Sequence, residues 1–144
     1  MKEARKGIAM YKTIIVPIDI GHMERAESMI NAARQLGPEA DILLANAVET
    51  LPSHIMAEIP VDMIDDAKQR AREKLEELLE KAGPKASVKM LEGHAASAIL
   101  DLAEDTNADA IVIASHKPGW QDYLIGSTAA RVVRHAKCAV FVIR

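Results

Sequence analysis

Apolar residues fall into short continuous runs that alternate with longer stretches repeating at helical spacing. Thr13 to Ile18 is a compact, largely β-branched run, closed by Pro17, Ile18 and Asp19. From Glu24 to Leu36, Ala26, Met29, Ile30 and Ala33 recur every three or four positions, and Gly37-Pro38 ends the pattern. That is the signature of a buried strand followed by an amphipathic helix. The alternation then repeats. Ile42 to Val48 reads as a strand, and a loop holding Pro52 and Pro60 follows it. Asp62 stands where a helix N-cap belongs, ahead of a stripe through Ile64, Ala67, Ala71, Leu75, Leu78 and Leu79. Gly83-Pro84 stops that helix, and Ser87 to Leu91 is a weaker strand. The remaining elements are a helix over Ala96 to Ala103, a strand over Asn107 to Ala114, a helix over Ser127 to Ala136 and a strand over Ala139 to Ile143.

Strict alternation of this kind predicts an α/β domain, with a five-stranded parallel sheet covered by helices on both faces. The pattern leaves strand order open, because right-handed crossovers only restrict it. No tandem repeat, low-complexity stretch or internal linker divides the 144 residues, a length that suits one domain. In any doubly wound sheet, ligands favour the carboxyl ends of strands where the winding reverses. Two strand ends carry unusual chemistry. One is Asp19; the other is "ASHKPGWQDYLIGSTAARVV", residues 114–133, where a long loop separates a buried strand from a helix.

Gly126-Ser127-Thr128 opens that helix. Glycine lets backbone N–H groups approach an anion, two hydroxyls add donors, and the helix dipole favours negative charge. The plainer reading makes Ser127 an ordinary N-cap. Asp19 has two readings as well: an acceptor for ribose hydroxyls or an amine, or a cap for a helix starting near Met23. His116 lies in the same loop as Trp120 and Tyr123, while Arg131 and Arg134 follow the first turn of the helix. The five histidines form no HxxxH or HxH pair and Cys138 has no CxxC partner, so no dedicated metal site is indicated. Neither a GxSxG elbow nor a GxxxxGK[ST] loop is present.

Composition changes the picture little. Hydrophobic residues at 49 % and charged residues at 27 % are ordinary for a globular protein. A net charge of −3 without a basic stripe argues against nucleic-acid binding. No apolar run approaches the roughly 18 residues of a membrane span. A single cysteine suits a reducing compartment, so a cytoplasmic location is expected. Met10 stands where the domain pattern begins, so residues 1–9 are expected to be a flexible extension of a domain spanning 10–144.

Taken together, "YKTIIVPIDI", "EGHAASAILDLAEDTNADAIVIASH" and "GSTAARVVRHAKCAVFVIR" resemble the universal stress protein family, most closely its F and G branch. The likeness runs from about Met10 to Arg144. It implies a Rossmann-like sheet of order 3-2-1-4-5, an ATP site between strands one and four, and Mg²⁺ held mainly by the phosphates. Carried over position by position, Pro17, Ile18 and Asp19 flank adenine and ribose, and backbone at Ala47 contacts the adenine. Ala114, Ser115, His116 and Lys117 pass under ribose and phosphates, and Gly126, Ser127 and Thr128 grip phosphate oxygens. The family pattern is G-x2-G-x9-G-[ST]. Here Ala114 and Lys117 replace the first two glycines, and eight residues separate Lys117 from Gly126. Pro118 removes an N–H donor beside them. The resemblance also implies a homodimer, and the wholly apolar run 139–143 at a sheet edge gives it a physical basis. The expected role is nucleotide-dependent interaction with partners under stress. A weak ATPase or phosphoryl-transfer enzyme and a nucleotide-free dimeric module are the alternatives.

Overall fold

Ile14, Ile15 and Val16 are completely buried in the first strand, β1 (Thr13–Pro17). A strand apolar on both faces belongs in the middle of a sheet covered on both sides. In the computed structural model, which describes residues 11–48, 51–115 and 125–144, β1 is the central strand. The elements that follow are α1 (Ala26–Leu36), β2 (Asp41–Val48), α2 (Ser53–Met56), α3 (Val61–Ala82) and β3 (Ala86–Glu92). Then come α4 (Ala95–Thr106), β4 (Ala110–Ala114), α5 (Ser127–His135) and β5 (Ala139–Ile143). All strand pairs are parallel, in the order β3-β2-β1-β4-β5. The architecture and the strand order are those expected above.

Side chains alternate across this sheet and build two layers. Ile14, Val16, Ile42 and Leu44 pack with Met29, Ile30 and Ala33 of α1 and Leu75 of α3. On the other face, Ile15, Leu43, Ile111 and Ile113 meet Ile99 and Leu102 of α4 and Ala129 and Val132 of α5. Among the described residues, aromatic packing is confined to an edge-to-face pair, Tyr11 with Phe141, at 5.8 Å between centroids. Asp109 Oδ2 accepts the N–H groups of Lys12 at 2.7 Å and Thr13 at 2.9 Å, which clasps the start of β1 to the approach to β4.

Three local details differ from the sequence reading. Pro60, not Asp62, is the N-cap of α3, and no side chain caps that helix. Asp62 instead sits in the first turn, where its charge still suits the dipole. Asn107 does not open β4; it closes α4 in the left-handed region at φ 51°, a conformation asparagine tolerates better than most residues. The loop after β2 contains the short helix α2, which buries none of its residues and so leaves no apolar pattern to read.

Candidate functional site

Between β1 and β4 the winding of the sheet reverses. The chain leaves β1 through α1 toward β2, and leaves β4 through α5 toward β5, on the opposite face. The connections leaving the carboxyl ends of these two neighbours therefore diverge, and that is where doubly wound sheets place a crevice.

One wall comes from β1. Pro17 is level with Ala45 of β2, and Ile18 extends the pairing by donating its N–H to the Ala45 carbonyl at 2.7 Å. The Ile18 carbonyl accepts Asn46 Nδ2 at 2.9 Å, from a side chain only 9 % exposed. This buried amide fixes the chain as it leaves the strand. Asp19 is exposed, and its Oδ1 accepts the Gly21 N–H at 3.0 Å in a tight local turn. Its second carboxylate oxygen has no partner among the described residues. The helix-cap reading of Asp19 does not hold, because α1 begins only at Ala26, with Arg25 at its N-cap. Ala47 lies two residues past Ala45 on β2, opposite Leu91 of β3.

The facing wall comes from β4. Ala114 ends that strand opposite Ile143, and the buried Ser115 donates its N–H to the Ile143 carbonyl at 2.9 Å. The Ser115 carbonyl in turn accepts the Gly126 N–H. That bond brings the start of α5 to the carboxyl end of β4. Gly126 is the N-cap of α5, with Ser127 and Thr128 as its first helical residues and no side-chain cap on the helix. The cap reading of Ser127 is thereby corrected. Among the described residues, the first-turn N–H groups of α5 meet no side-chain acceptor.

Pro17, Ile18, Asp19, Ala47, Ala114, Ser115, Gly126, Ser127 and Thr128 thus share the carboxyl edge of three adjacent strands. His116 and Lys117, like Trp120 and Tyr123, lie outside the described residues. Two residues that no sequence pattern singled out also belong to this edge. Asn46 is one. Arg25 is the other: half-buried, it donates from Nη1 to Ser115 Oγ at 3.4 Å and to the Ile143 carbonyl at 3.2 Å.

Elsewhere the chemistry is sparse. Among the described residues, no group of three or more His, Cys, Asp or Glu side chains converges as a metal site, and no helix is long and apolar enough to cross a membrane. At the opposite end of the sheet, a shallow cavity of about 430 Å³ lies between α4 and the α5–β5 turn, next to Cys138. Burial pushes the Cys138 thiol up from its ordinary value, which favours the protonated form.

A parallel sheet that reverses its winding between two central strands, with an uncapped helix start beside the reversal, defines a doubly wound α/β protein. Residues 10–144 match the model of the universal stress protein family, and the chain belongs to that family. It is 32 % identical to a universal stress protein of Methanocaldococcus jannaschii, over 97 % of this chain and 86 % of that one. Universal stress protein G of Escherichia coli O157:H7 is 29 % identical, over 94 % of this chain and 100 % of its own length. Among solved structures, a universal stress protein from Lactobacillus plantarum superposes with a TM-score of 0.72 at 23 % identity, covering 93 % of this chain and 98 % of that one. One from Archaeoglobus fulgidus, in complex with dAMP, gives 0.66 at 20 % identity over 94 % and 99 %.

Proposed function

We propose that this protein binds an adenine nucleotide, ATP, in the crevice between β1 and β4, and that occupancy changes its partners during the stress response. The observation that carries this reading is the Ser115–Gly126 backbone bond, which sets an uncapped helix N-terminus at the end of the strand beside β1. Such a terminus favours phosphate through both its free N–H groups and its dipole. Across the crevice, Asp19 keeps a carboxylate oxygen available for a ribose hydroxyl. The dAMP complex of the Archaeoglobus fulgidus relative supports the same ligand class.

In this arrangement Pro17, Ile18 and the backbone at Ala47 border the base, and Ala114 and Ser115 run beneath the sugar. Gly126, Ser127 and Thr128 hold phosphate oxygens, joined by His116 and Lys117, and Mg²⁺ is carried by the phosphates. Two copies pair through β5, whose residues 139–143 are apolar throughout and lie at the edge of the sheet. The protein works in the cytoplasm, as a domain of residues 10–144, without a nucleic-acid partner.

Calorimetric titration with ATP, alongside fluorescence of Trp120, the sole tryptophan, tests the reading. Saturable binding is expected, weakened about tenfold or more by Asp19→Asn, the scale of one hydrogen bond to a charged group. Absence of a saturable signal at about millimolar ATP, a binding free energy of only about 4 kcal/mol, overturns it. Lys117→Gly then separates roles for that side chain: weaker binding marks a phosphate contact, and binding gained only in the variant supports the nucleotide-free module.

A further inference from the structure

Arg25 is a cation without a counter-ion among the described residues. Among the described residues no carboxylate pairs with its guanidinium, although the side chain is half-buried. Its Nη1 serves the Ser115 hydroxyl and the Ile143 carbonyl, both neutral acceptors. A guanidinium carries five N–H donors in a planar fork. Those on Nη2 and Nε have no partner among the described residues. Removing such a charge from water is costly unless something negative meets it.

Its position supplies the rest. Arg25 belongs to the same β1–α1 connection as Asp19, yet it reaches across to the carboxyl ends of β4 and β5. The Ser115 it touches is the residue whose carbonyl holds Gly126 at the start of α5. An uncompensated guanidinium and an uncapped helix N-terminus thus meet at one serine, from opposite faces of the sheet. Each favours an anion independently, and the planar fork matches phosphate geometry.

We propose that Arg25 recruits the phosphate of the bound nucleotide, using the donors that Ser115 and Ile143 leave unspent. This rests on the adenine-nucleotide reading above and assigns to one side chain the preference for a nucleotide over its nucleoside. The contact is charge-assisted. The nucleoside, lacking phosphate, does not feel it.

The test compares adenosine and AMP binding to the full-length protein by calorimetry, in the parent, Arg25→Gln and Arg25→Lys. Glutamine retains a donor for Ser115 or Ile143 and so protects the fold. Arg25→Gln is expected to weaken AMP about tenfold, the scale of one charge-assisted hydrogen bond, and to leave adenosine unchanged. Arg25→Lys restores part of the loss, since a point charge remains without the fork. A phosphorus NMR titration of bound AMP adds a readout that a structural role does not move. The phosphate, whose second pKa is about 6 when free, loses its last proton at lower pH in the parent than in Arg25→Gln. Equal weakening of AMP and adenosine, or unchanged AMP binding in a folded Arg25→Gln, overturns the proposal while the site reading stands. Should the parent bind neither ligand, both fall, and that result appears before any substitution is made.

Discussion

Asn46 is the residue whose removal best tests how the first wall of the crevice is held. Its amide is 9 % exposed and donates to the Ile18 carbonyl at 2.9 Å, one residue before Asp19. Asn46→Ala deletes that donor and leaves a carbonyl at a buried site without it. A buried polar group stripped of its partner costs about 1–3 kcal/mol, so about 2 kcal/mol is the expected loss. With an unfolding entropy of about 2.1 cal/mol/K per residue over the 144 residues, one degree corresponds to about 0.3 kcal/mol, and the melting temperature falls by about 7 °C. Urea unfolding followed by circular dichroism measures this directly, with an unchanged slope as the sign that only stability moved. Asn46→Leu separates the amide from its volume. If the hydrogen bond is what matters, leucine does not recover the loss. Calorimetry on the same variant reads the functional consequence: adenosine binding weakens because the turn carrying Asp19 is no longer pinned. An Asn46→Ala protein within about 0.5 kcal/mol of the parent, the range of a neutral surface change, refutes the reasoning.

Two further outcomes can be checked independently. The Ile143 carbonyl faces β4, so alternation along β5 turns the N–H groups of Val140 and Val142 to the open edge. Val142→Pro removes one of those donors without touching the β4 ladder, and sedimentation velocity is expected to show a dimeric parent, as proposed, and a folded monomeric variant; a monomeric parent or a variant that stays dimeric disproves pairing through this edge. Glu104 and Lys137 form an exposed pair at 2.9 Å, in which the ammonium holds the Glu104 carboxyl below 4.5 and the carboxylate raises the Lys137 amine above 10.5. A depressed carboxyl stabilises above its unfolded value and ceases to as pH falls through the folded one; for the raised amine the contribution is present below 10.5 and lost as pH rises through its folded value. Denaturation of the parent and Glu104→Gln across pH is expected to differ slightly near neutrality and to converge below pH 4.5 or at high salt; a difference that persists in acid shows that another interaction carries it.

Strands and helices were readable from the sequence wherever burial imposed a period. Ile14 to Val16, Ile111 to Ile113 and the α1 stripe all gave their element away because each faces a core layer. Helix α2 did not, since it buries nothing, and Asn107 was misplaced because a left-handed cap leaves no mark on hydrophobic periodicity. The strand order came with the family likeness and not from the pattern. Within the site, Asp19 and Gly126-Ser127-Thr128 stood out by their chemistry at strand and helix ends. Asn46 and Arg25 were invisible for a common reason. One lies inside an apolar strand and the other in a charged helix entry, and each acquires meaning only from a backbone carbonyl that is distant in sequence: Ile18 for Asn46, Ile143 for Arg25.

The clasp between Thr13 and Asp109 joins residues 96 positions apart. A ribosome that has released β1, β2 and β3 has therefore made only half of the cleft, and Asp19 waits at a sheet with no neighbour on its other side. A nucleotide that binds as proposed between β1 and β4 has no complete site on that early intermediate. On the proposed reading its effect is to shift the balance toward the finished chain, by mass action once β4 has docked, so any chaperone-like benefit of the ligand arrives after synthesis is nearly complete.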